Sequence, residues 1–145
     1  MALRGEIEAV RDRALSHLNA AHDYYTYSKE VWRTLQLVVQ RDGLKFSHRN
    51  RATNSTVNEQ NFLSLAQRYI AWELTSATLQ QFLSIFENFL FEVLRRWLLA
   101  YPQSLSTRQL SGKEILKLPD KAAIVDALVE KELRDVFYDR PANWF

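Results

Sequence analysis

Histidine is the side chain best placed to move a proton near neutral pH, and this sequence holds three: His17, His22 and His48. His17 and His22 are five residues apart, about 140° around a helix, so they do not chelate a metal as an i, i+4 pair would. There is no cysteine, which excludes disulfides, thiolate zinc sites and thiol nucleophiles. A glycine-rich phosphate loop is lacking, and no serine sits in a recognisable nucleophile setting. We therefore expect no cofactor and no metal. A short basic stretch, Lys45, His48, Arg49 and Arg51, carries charge that suits phosphate contacts, with a solvated loop as the plain alternative. Tyr24, Tyr25, Tyr27 and Trp32 have faces on which bases stack, but their helical spacing reads as packing. Glu87 and Arg95 are charges inside a strongly apolar segment. Such charges are usually paired, and a structural hydrogen bond from Glu87 to another helix is the expectation.

These residues ride on helices. Leu3, Ile7, Val10, Ala14, Ala21, Tyr24, Ser28, Val31, Leu35 and Val38 recur in steps of three and four, with His17 filling the one gap. A period near 3.5 predicts one long helix, or two collinear ones, over residues 2–41. Asp42-Gly43 stops it, glycine supplying the left-handed conformation of a helix end. Residues 44–55 read as an exposed loop. Thr56 and Glu59 have capping-box spacing for the next helix. From there to Tyr101 no Gly or Pro occurs, although Thr75-Ser76 marks a plausible break. Beyond Leu79 the apolar residues Phe82, Ile85, Phe86, Phe89, Leu90 and Phe91 cover more than half the circumference. That predicts a helix covered on two sides, at the centre of the core. Pro102 ends it, Ser111 and Glu114 have capping-box spacing for a short turn, and Asp120 caps a last helix. The buried face of that helix is predicted to be Ile124, Val125, Leu128, Val129, Leu133, Val136 and Phe137.

The expected fold is thus all-α: a helical bundle with a long N-terminal helix, a long central buried helix region and a shorter C-terminal helix. At 145 residues the chain has the size of one domain, so residues 1–145 are expected to form a single unit. Only 3 Gly and 3 Pro are present, too few to punctuate a fold of many short strands. A net charge of +2, from 19 basic and 17 acidic residues, is too even to argue for nucleic acid by itself. The most apolar stretch, Leu79 to Leu99, includes Glu87, Glu92, Arg95 and Arg96, more charge than a bilayer span tolerates. With no apolar leader after Met1, a cytoplasmic address and no membrane contact are expected. The first helix would be roughly 60 Å long, longer than a compact domain of this size. Helices of that length bend or pack along a partner, and a homodimer is expected.

The stretch Phe86-Glu87-Asn88-Phe89-Leu90-Phe91-Glu92-Val93-Leu94-Arg95-Arg96-Trp97-Leu98-Leu99-Ala100-Tyr101-Pro102-Gln103-Ser104-Leu105 resembles the HEPN superfamily. Pro119-Asp120-Lys121-Ala122, Lys131-Glu132-Leu133 and the ending Tyr138-Asp139-Arg140-Pro141-Ala142-Asn143-Trp144-Phe145 add to this resemblance. The branch it is most similar to is the bacterial one called RiboL-PSP-HEPN, and the resemblance covers roughly residues 60–145. It implies a dimerising helical bundle from families of metal-independent ribonucleases in toxin–antitoxin or phage-defence systems. A cognate antitoxin and RNA are the partners it implies.

The signature of that superfamily is an Arg, usually followed by a polar residue, with a His after four to six intervening residues. In such a pair the histidine shuttles the 2′-hydroxyl proton and the arginine holds the scissile phosphate. In this branch the pair lies beyond the Trp-Phe pair, and no His follows His48 here. The resemblance therefore implies an N-terminal, catalytically incomplete portion that serves as scaffold and dimerisation element. Arg41 and His48 match the pattern nominally, but Gly43 lies between them at a helix end, so the pair reads better as a helix stop and loop. Arg11 and His17 also match, yet His17 falls on the apolar seam and reads as a packed or interface residue. The alternative of a different class is a helical protein–protein interaction module with no nucleic-acid role, favoured by a heptad-like first helix without a basic stripe.

Overall fold

A computed structural model of the chain describes residues 2–45, 49, 51, 54–105 and 109–137. The fold is all-α, a helical bundle built on a long N-terminal and a long central helix. Helix α1 spans Ala2–Asp42, α2 Glu59–Arg68, α3 Leu74–Ala100, α4 Gly112–Ile115 and α5 Lys121–Phe137. A single π-helical turn, Tyr69–Glu73, lies between α2 and α3, and a 3₁₀ turn, Pro102–Leu105, follows α3. The described residues divide into two compact units, one within Met1–Ala14 and Phe86–Phe145 and the other within Leu15–Ile85.

The N-terminal segment is one helix of 41 residues rather than two. Exposed pairs such as Arg4–Glu8 at 2.9 Å and Glu30–Arg33 at 3.1 Å run along its solvent side, at the spacings that support an isolated helix. Gly43 ends it with φ +75°, its N–H donating to the Val39 carbonyl at 2.9 Å. The expected cap of α2 is corrected by two positions: Asn58, not Thr56, accepts from the Asn61 N–H at 2.8 Å. Thr56 instead forms an isolated antiparallel bridge with Arg49. Asn and Thr both cap helices, and the one adjoining Glu59 takes the position.

Within the unit of Leu15–Ile85, the core is Val39, Val57, Phe62 and Ala66, with Trp32, Leu35, Leu44 and Leu63 packed against it. Four members of one row from α2 to α3, Phe62, Ala66, Leu74 and Thr78, are buried, and Ile70 between them is half-buried. They follow in steps of four. On a regular α-helix each such step drifts by about 40°, so the row would leave the core; the π turn absorbs the extra residue and returns it. The break expected at Thr75-Ser76 thus lies just upstream. Thr75 Oγ1 reaches back to the Ile70 carbonyl inside the π turn at 3.4 Å.

In the other unit, Leu98 of α3, Leu105 of the 3₁₀ turn, and Val129 and Leu133 of α5 form the buried centre, joined by Phe91, Leu94, Val125 and Leu128. Arg95 ties α3 to α5 by donating to Glu130 and Asp126, both at 2.9 Å. Ser111 and Glu114 make the expected capping box of α4. Asp120 caps α5, accepting from the Ala123 N–H at 2.8 Å. The expectation that α3 is covered on two sides holds on one face only: Leu79, Leu83, Phe86, Leu90 and Trp97 are exposed. Apolar density set that expectation, but among the described residues cover is supplied for the face of Phe91, Leu94 and Leu98.

Candidate functional site

The residues singled out by type do not assemble into a catalytic cluster among the described ones. Arg41 is exposed at the end of α1, where its guanidinium is held by the adjacent Asp42 at 2.8 and 3.0 Å. That contact raises its already high pKa. His48, its nominal partner, lies outside the described residues. Arg11 is engaged by its own neighbour, Asp12, at 2.7 and 2.9 Å. His17, expected to be packed or at an interface, is exposed and so is not packed within the chain. His22 Nδ1 lies 3.8 Å from Asp23. Among the described residues no group of three or more His, Asp or Glu side chains is arranged to hold a metal ion, and no helix is long and apolar enough to cross a membrane.

Lys45, Arg49 and Arg51 are all exposed, and none is paired with a carboxylate among the described residues. Glu87 is exposed as well and makes no hydrogen bond to another helix among them. The helix-to-helix contact expected of it belongs to Arg95, whose pKa is raised first by its hydrogen bond to Glu130 and then by the Asp126, Glu130 and Glu92 charges. Arg96 bonds Glu92 through Nη1. Its buried Nε has no hydrogen bond among the described residues and lies 3.8 Å from Glu6 of α1.

Two kinds of feature stand out instead. The first is uncovered apolar surface at helical spacing. Phe86, Leu90 and Trp97 of α3, with Tyr101 just after it, sit at i, i+4, i+11 and i+15 and therefore form one stripe. They are 53%, 40%, 42% and 43% exposed. Trp97 and Tyr101 touch, with ring centroids 5.8 Å apart at 46°. Leu79 and Leu83, exposed in the part of α3 that belongs to the other unit, continue the same spacing. On α1, Tyr24, Val31 and Val38 are exposed at heptad spacing with Tyr27 beside them, while Trp32, Leu35 and Val39 take the covered face.

The second is a cavity of about 490 Å³ within the unit of Leu15–Ile85, its walls including Trp32, Leu35, Val57, Phe62, Ala66 and Tyr69. Trp32 stacks on Phe62 at 6.1 Å and 28° and tilts against Tyr69 at 5.0 Å and 47°. Nearby, the Tyr25 hydroxyl is lowered from its ordinary value of 10.0 by Thr75 and then by Lys29. Helical spacing puts Trp32 on a packing face and does not disclose the cavity. The signal for it is the unbroken run of four-residue steps from Phe62 to Thr78, which a straight α-helix cannot keep on one side.

Comparison with protein-family models, curated proteins and solved structures gives no match to this chain.

Proposed function

We propose that this chain is a HEPN-like helical scaffold that works by association, with a second copy of itself first, and without chemistry of its own. The observation carrying this reading is the uncovered stripe of α3. Phe, Tyr and Trp bury about 150–250 Å² each when covered, so Phe86, Leu90, Trp97 and Tyr101 leave roughly 300–400 Å² of apolar surface in water. That is as large as the greatest patch on a typical monomer, and such patches are commonly interaction sites. It is also about half of what one partner buries in a standard interface, the share expected of an interface's apolar centre. The exposed heptad row Tyr24, Val31 and Val38 of α1 supports the same reading, because an apolar heptad seam is the pattern along which helices pair.

The HEPN resemblance supplies the setting: a bacterial toxin or defence system, in the cytoplasm, with an antitoxin and RNA as further partners. The interaction-module alternative shares the surface and drops the RNA. RNA binding that is independent of sequence and weakens steeply with salt separates the two in favour of the first. The non-catalytic part is tested by incubating the chain with mixed RNA in EDTA. The expected result is intact RNA; cleavage abolished by His48→Ala or His17→Ala would contradict it. The association part is tested by sedimentation across a concentration series, where a dimer is expected and a persistent monomer opposes the reading.

A further inference from the structure

The aromatic cavity carries two charges among its described lining residues, Arg68 and Glu73. Both are exposed, and neither is paired with the other or with any other described residue. Arg68 is the last residue of α2 and Glu73 the last of the π turn. Five residues correspond to about 140° on a regular α-helix, which would send the two charges to different sides. The i→i+5 bonding of the π turn, seen where the Leu74 N–H meets the Tyr69 carbonyl, brings residues five apart back to one side. The rare turn that keeps Phe62, Ala66 and Leu74 in the core thus also sets an unpaired cation and an unpaired anion beside one apolar cavity.

We propose that this cavity binds a free aromatic α-amino acid. Its ring lies among Trp32, Phe62 and Tyr69, its carboxylate meets Arg68 and its ammonium meets Glu73. The volume falls in the range of small-molecule sites, which are mostly apolar with a few polar groups fixing orientation. Charge complementarity selects the ligand within that class. An aromatic acid without an amine leaves Glu73 facing a like charge, and an aromatic amine without an acid does the same to Arg68. A neutral ring uses neither group. Only the zwitterion satisfies both, and the aromatic walls favour a flat side chain over an aliphatic one.

Calorimetric titration of the full chain with four probes tests this: L-tryptophan, indole-3-propionate, tryptamine and indole. L-Tryptophan is expected to bind roughly tenfold more tightly than tryptamine or indole-3-propionate, the scale of one charge-assisted hydrogen bond, and roughly a hundredfold more tightly than indole, which lacks both groups. Arg68→Ala removes its advantage over tryptamine, and Glu73→Ala removes its advantage over indole-3-propionate. Both residues are solvent-exposed, so both variants should keep the wild-type circular dichroism spectrum. Indole binding as tightly as L-tryptophan overturns the proposal. So does the failure of all four probes to bind at millimolar concentration, or an advantage that both substitutions leave unchanged.

Discussion

Among the described residues, Leu133 and Val129 are the largest side chains wholly withdrawn from water, and spacing alone puts both on the buried face of the last helix. Their neighbours Leu98 and Leu105 come from other elements, so a shortened side chain leaves a void that backbone shifts in α5 cannot close. Leu133→Ala is expected to lower stability by about 2–5 kcal/mol in urea unfolding; a loss below about 1 kcal/mol would mean that the site collapses freely. Arg95 is a smaller matter. Its two partners are half exposed, with Asp126 at 52% and Glu130 at 49% side-chain exposure. Solvent screens such pairs. Arg95→Ala should therefore cost about 1 kcal/mol, and less in high salt. Sequence could mark Arg95 and Glu87 as charges in an apolar helix, but which of them meets α5 depends on how far the helix is turned. Period fixes relative angles around one helix and not its rotation against a neighbour.

Among the elements, local chemistry was legible at most places where one residue decides it, the α2 cap, on Asn58 rather than Thr56, being the exception. Gly43 at φ +75°, the Ser111–Glu114 box and Asp120 beneath α5 all lie where their types predict. Asp120→Ala should cost about 1 kcal/mol by exposing the first-turn N–H groups of α5, and thermal unfolding reads it directly. The Ser111 hydroxyl and backbone N–H hold the Glu114 carboxyl below its ordinary value of 4.5. A carboxyl depressed in the folded chain binds its proton more readily once unfolded. Its contribution is therefore present above about pH 4.5 and lost as pH falls through the depressed value. The rise of the melting temperature between acidic and neutral pH should accordingly be shallower in Glu114→Ala than in wild type; parallel profiles would show that the box is not coupled to folding. The π turn was not legible as such, because no residue type announces it. Its trace is a spacing, and that spacing is informative only once the core is known to demand a single side.

At the scale of the whole molecule, the all-helical class was readable from few breakers and a persistent helical period. What covers the apolar faces was not. Composition says how much apolar surface a helix owns, and the uncovered side of α3 shows that ownership and burial are different quantities. In the proposed reading, another copy of the chain covers this surface. Placing charge on it should abolish association without touching the core formed by Phe91, Leu94 and Leu98. The direct test is sedimentation of wild type beside the double variant Phe86→Glu/Leu90→Glu, with circular dichroism on both. Wild type is expected to be a dimer and the variant a monomer of unchanged helicity. A wild-type chain that remains monomeric, or a variant that still dimerises, would contradict that reading.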